Sequence, residues 1–223
     1  MVYFVLLFAE ILVLFLFSKT VSKTLSRFMS INLLSFLFSP GVIIHELAHL
    51  FTAMILFVPV GHMEFAPKKE GRGVRLGSVE IAKTDPIRRS LIGFAPVFVG
   101  LLLVLSMVYF FSSNIVFLQK QSPYIFVIAI LGLIYLLFVI SNTMFSSKVD
   151  MEGTLEILLA IFIILGATHV LGFRLPLIYL DKIFTEKIME MVQKSTLFLF
   201  IPIAIDFLIL GIINLFTSNR SRT

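Results

Sequence analysis

The chain has 223 residues, a net charge of +5, no cysteine, and a composition 59% hydrophobic with 25 Phe and only 14% charged. So little polar surface excludes a soluble globular domain of this size. The missing cysteines exclude disulfides and thiolate metal sites, and the basic excess suits loops facing anionic lipid, with no nucleic acid as partner.

Several apolar runs reach the roughly 18–20 residues that span a hydrocarbon core, which predicts an all-α polytopic membrane protein. Six spans are expected, near 2–18, 30–57, 90–111, 124–141, 152–172 and 196–217. Ser18-Lys19-Thr20 after the first run carries no cleavage pattern, so that run reads as a retained helix. The longest polar segment, 59–89, separates the second and third spans. Its Lys- and Gly-rich stretch from Lys68 to Gly73 reads as a turn, and Val74, Leu76, Val79 and Ile81 read as short strands broken near Gly77. A small β-hairpin or sheet is expected there. Between the fifth and sixth spans, Leu177, Leu180, Phe184, Ile188 and Met191 recur at spacings of three and four with charges opposite. That pattern predicts an amphipathic helix over 175–193 lying in the membrane interface. With six spans, the termini and the loops on their side carry ten Lys and Arg against eight on the other, which predicts that both termini and the 59–89 segment are cytoplasmic.

The second span contains Val42-Ile43-Ile44-His45-Glu46-Leu47-Ala48-His49-Leu50-Phe51. On a helix, His45 and His49 lie about 40° apart on one face, one turn from each other. Two imidazoles so placed reach one tetrahedral Zn²⁺. Glu46 is rotated by about 100° from His45, so it stands beside the metal and takes a proton from a water there. This is the H-E-x-x-H arrangement of metalloproteases. Within a membrane span each ionisable residue costs a few kcal/mol to insert, which makes a purely structural role for all three hard to sustain.

Two histidines do not complete a catalytic zinc site. The other histidines are His62, in the loop after the second span, and His169, expected near the opposite membrane face. The carboxylates within reach are Asp150, Glu152 and Glu156, where the fourth span ends and the fifth begins. Glu152 and Glu156, at i and i+4, form a rival to Asp150 as third ligand, and zinc accepts either carboxylate. Glu10 and Asp206 are two further carboxylates inside spans one and six, suited either to proton sharing or a water route or to bonding between helices.

The stretch Ser141-Asn142-Thr143-Met144-Phe145-Ser146-Ser147-Lys148-Val149-Asp150 resembles the second motif of the site-2 proteases, the intramembrane zinc metalloproteases. That motif runs Asn-x-x-Pro and then Leu-Asp-Gly, and Asn142 and Asp150 keep its eight-residue spacing. Gly93-Phe94-Ala95-Pro96 resembles the Gly-Pro-containing start of the family's next core helix. Phe145 replaces the family's Pro and Met151 its Gly, so a helix break at 142–150 has to come from Asn, Thr and Ser side chains that compete with the backbone. The resemblance implies one protease domain over 1–223 with its catalytic core at about 30–155. It implies His45, His49 and Asp150 as ligands of a Zn²⁺ cofactor, Glu46 as general base and Asn142 as a substrate- or oxyanion-contacting group. It also implies that the 59–89 segment presents transmembrane or membrane-associated protein substrates. The small size, with no appended domain, gives the expectation of a prokaryotic plasma membrane. The alternatives are a membrane zincin cleaving soluble or lipid-modified peptides at the interface, or a non-catalytic metal-binding relative, against which the intact Glu46 speaks.

Overall fold

A computed structural model describes residues 2–65, 68–70, 73–75, 77–145 and 186–220. The fold is mostly helical: α1 (Val2–Phe28), α2 (Ile31–Ile55), α3 (Pro86–Lys120), α4 (Pro123–Thr143) and α5 (Glu186–Arg220), with short strands between α2 and α3. Among the described residues, α2, α3, α4 and Met189–Leu215 of α5 are long and apolar enough to cross a membrane, by length and composition. Six spans were expected; the first, in α1, is not among these four, and the fifth, 152–172, lies outside the described residues.

The helices overrun their apolar segments, and the polar side chains in the overruns are satisfied within the helix by bonding back to its backbone. Ser18, Thr20 and Ser26 donate to the carbonyls of Phe15, Leu16 and Lys23 at 3.1, 3.2 and 2.9 Å, and α1 runs to Phe28, past the apolar run that ends near residue 18. Ser30 caps α2 by accepting from the Leu33 N–H at 3.4 Å. Asp85 caps α3, accepting from the Arg88 N–H at 3.0 Å, so this helix starts before the predicted boundary at 90. That hydrogen bond, with the Arg88 guanidinium beside it, holds the Asp85 carboxyl below the ordinary aspartate range. Ser195 and Thr196 likewise donate to Met191 and Val192 at 2.7 and 2.8 Å, and α5 runs unbroken through them. The amphipathic helix expected at 175–193 is therefore, in its described part, the first two turns of α5 and no separate element.

The strands form two antiparallel pairs in sequence order, β1 (Val60–Glu64) with β4 (Ser78–Ile81) and β2 (Lys68–Glu70) with β3 (Gly73–Arg75). The expected small sheet is present, and Gly77 precedes β4 outside either strand. Lys68–Glu70, expected within the turn, is instead strand β2. Ala53, Val58 and Ile92, joined by Leu56, Val60 and Ile81, form an apolar cluster that seats the base of the hairpin on α2 and α3. Entry to the hairpin is set by Phe57, which sits at φ 56° after α2 with its ring 90% exposed. The Phe57 and Val58 N–H groups donate to Met54 and Ala53 carbonyls at 3.1 and 2.9 Å, closing the helix with a Schellman turn that usually takes glycine.

Side-chain partners fix the helix directions. Phe38 meets the Phe138 ring, Tyr135 donates to the Leu37 carbonyl at 2.8 Å, and Gly41 abuts Val139 and Thr143, so α2 and α4 run parallel. Leu7 and Leu14 of α1 share an apolar cluster with Val192 and Leu199 of α5, whereas Val21 and Leu25 share one with Ile205, Ile209 and Ile213. Tyr3 lines a cleft with Glu186, Met189, Glu190 and Gln193. α5 therefore runs parallel to α1. The N-terminus and the hairpin lie at one end of the bundle and Arg220 at the other, whereas six alternating spans had put both termini on one side.

Candidate metal centre

His45, Glu46 and His49 lie on the last three turns of α2, about 9–15 Å of helix rise from its end at Ile55. Helical i, i+4 spacing brings the two Nε2 atoms to 3.2 Å, with ring centroids 4.8 Å apart and planes at 81°. Two nitrogens each bonded to one tetrahedral zinc at 2.0–2.1 Å are about 3.3 Å apart, so this pair has the separation a shared ion requires. His49 is 4% exposed, and its Nδ1 lies 2.8 Å from the Ile92 carbonyl on α3. A carbonyl only accepts, so Nδ1 carries the proton and the Nε2 lone pair is turned toward His45. Imidazole ligands of zinc have this outer hydrogen bond as a rule, because it fixes tautomer and ring plane. The donor set fits the metal on these observations.

Glu46 is 6% exposed. The connection between β3 and β4 lies directly on it. A Cβ placed on Gly77 would stand 2.7 Å from Glu46 Oε1, 3.0 Å from its Cγ and 2.9 Å from Val42 Cγ1. The hairpin thus reaches back from its seat to the carboxylate, a contact whose one sign in the sequence is the strand break near Gly77.

Among the described residues no third His, Asp or Glu closes a metal-binding group with the two histidines. His62 is on β1 and exposed, its N–H donating to Glu80 Oε2 at 3.4 Å. Asp150, Glu152, Glu156 and His169 lie outside the described residues.

Asn142 is buried at the end of α4, facing α5. Its Nδ2 donates to Asp206 Oδ1 at 2.9 Å and to the Phe138 carbonyl at 3.0 Å. Both amide hydrogens are engaged, so the oxyanion contact implied by the resemblance lacks a donor in this geometry. The Oδ1 has no partner among the described residues, and it is an acceptor suited to a peptide N–H. Asp206, 0% exposed, is thereby tied to α4, which favours the interhelical-bonding reading over a proton route. Glu10 is also buried and has no hydrogen-bond partner among the described residues. It sits between Leu7 and Leu14 on α1, in register with the start of α5, so the two carboxylates are separated by about 16 Å along the bundle and do not share a proton.

Comparison with protein-family models, curated proteins and solved structures gives no match.

Proposed function

We propose that the chain is an intramembrane zinc metalloprotease, carried by one observation: two histidine Nε2 atoms 3.2 Å apart inside an apolar helix, one of them fixed in its metal-binding tautomer by Ile92. His45 and His49 hold the ion, and the third ligand comes from Asp150, with Glu152 and Glu156 as rivals. Zinc bound there supplies a Lewis acid that polarises the scissile carbonyl and acidifies water. Glu46, within a turn of both ligands, takes the proton of the attacking water and passes it to the leaving amine. Its burial beside Gly77 keeps bulk water from competing for the carboxylate. Asn142 Oδ1 accepts a substrate N–H. An unwound substrate segment recovers its lost backbone bonds by adding to an edge of the β1–β4 pair, which lies over the site.

The direction of α5 strengthens the orientation. Five Lys and Arg between α2 and α3, Arg88 and Arg89 in the first turn of α3, and Lys187 and Lys194 early in α5 crowd the hairpin end, whereas Lys19, Lys23, Arg27, Lys120 and Arg220 belong to the other. Nine against five supports reading the hairpin end as cytoplasmic, with the N-terminus inside and Arg220 outside.

The test compares purified wild type with Glu46→Gln for zinc content and for cleavage of a panel of transmembrane and soluble peptides. The expected outcome is one zinc per chain in both and cleavage lost, by a factor of about 10² or more, in the variant. Undiminished cleavage by Glu46→Gln refutes the assigned base. Zinc loss in Asp150→Asn, set beside Glu152→Gln and Glu156→Gln, identifies the third ligand.

A further inference from the structure

α3 contains a proline four residues after the carbonyl that holds His49. In an α-helix the Ile92 carbonyl accepts from the N–H of residue 96. Pro96 has no N–H, so that carbonyl lacks its helical partner. It is this carbonyl that receives His49 Nδ1–H at 2.8 Å. Pro96 and Ile92 are both buried, where an unpaired carbonyl costs about 1–3 kcal/mol and water is scarce to satisfy it. The second helix proline near the site follows the same logic by a local route. Pro40 frees the Phe36 carbonyl of α2, and Ser39 Oγ, from the same turn, donates to it at 2.9 Å. At Pro96 the donor comes from another helix and belongs to the H-E-x-x-H motif.

We infer that Pro96 is a positioning residue for the metal site: by leaving the Ile92 carbonyl without its helical N–H, it opens the acceptor that orients His49 and turns Nε2 toward the ion. The inference rests on the zinc reading of His45 and His49 and assigns a role to a residue that touches neither metal nor substrate. A proline acting only as a kink needs its ring. A proline acting by removing a donor needs only the missing N–H. The two are separable by chemistry at position 96. Pro96→Ala restores an N–H that competes with His49 for the carbonyl; Pro96→lactic acid, the α-hydroxy acid counterpart of alanine, has neither ring nor N–H.

The measurement is zinc affinity of the full-length protein in detergent, by competition with a chromogenic chelator, with thermal unfolding as a check on folding. Pro96→Ala is expected to weaken zinc binding about 10–100-fold, the usual effect of losing a ligand's outer hydrogen bond. Pro96→lactic acid returns the affinity to within about threefold of wild type, and Pro202→Ala, at a helix proline of α5 away from the site, leaves it unchanged. Wild-type affinity in Pro96→Ala overturns the inference, as does a lactic acid variant as weak as Pro96→Ala. Where Pro96→Ala yields no folded protein, the lactic acid variant decides between the same two outcomes. Wild-type protein that takes up no zinc overturns the reading of the site itself, and the inference with it.

Discussion

Placing a methyl group on Gly77 tests whether the hairpin positions the base. In Gly77→Ala the new Cβ would stand 2.7 Å from Glu46 Oε1 and 2.9 Å from Val42 Cγ1, where ordinary contacts need about 3.3–4.0 Å. Something has to move by roughly 0.6–1 Å. Val42 is on the rigid helix and packed in an apolar cluster, so the side chain of Glu46 and the connection at 77 are the parts free to give. Misplacing a catalytic group by about 1 Å costs on the order of 10²-fold, so a kcat lowered about 10–100-fold is expected, equivalent to about 1.4–2.7 kcal/mol of transition-state stabilisation. Zinc content is expected to stay at the wild-type value, because the atoms nearest the new Cβ belong to Glu46 and Val42 and to neither histidine. The assay is steady-state cleavage of a transmembrane peptide in detergent, with zinc measured on the same preparation. Gly61→Ala is the control on the same hairpin: its Cβ would meet Glu80 Oε2 at 3.0 Å and Glu80 Cβ at 3.2 Å, a tightening of the β1–β4 pair whose nearest atoms do not include Glu46. A kcat within twofold of wild type in Gly77→Ala would show that the hairpin yields and Glu46 does not, and would refute the idea that the connection holds the base in place.

Two further predictions concern the bundle. The chain has no native cysteine, so single cysteines report sidedness directly. Arg220→Cys and Ser122→Cys are expected to react with an impermeant maleimide from the same side of sealed vesicles, and Lys83→Cys from the other. Labelling of Arg220→Cys together with Lys83→Cys would contradict a parallel α1 and α5. At the α4–α5 contact, Asn142→Leu removes the hydrogen-bond donor to the fully buried Asp206 and is expected to cost about 1–3 kcal/mol in unfolding free energy. Adding Asp206→Leu recovers part of that, giving a coupling of about 0.5–3 kcal/mol in a double-mutant cycle. Strict additivity would mean that the pair seen here contributes nothing to holding α5.

By itself the sequence determined the membrane class, the helical architecture, the small sheet between α2 and α3, and the juxtaposition of His45 and His49. Those features are local. Apolar run length sets span candidates, and i, i+4 spacing puts two imidazoles on one face whatever surrounds them. Helix ends were less legible, because Ser18, Ser26, Ser195 and Thr196 bond within the helix that contains them and so do not mark its end, and Asp85 caps α3 ahead of the apolar run. What only the tertiary structure decided involves pairs far apart in the chain. His49 meets Ile92 across 43 residues, Asn142 meets Asp206 across 64, and Gly77 closes on Glu46. Alternating spans assumed that α5 opposes α1, yet packing of Leu7 and Leu14 with Val192 and Leu199 makes them parallel. Pro96 shows the division most clearly. A missing N–H at position 96 is written in the sequence, but which donor takes the carbonyl it frees depends on how α3 lies against α2.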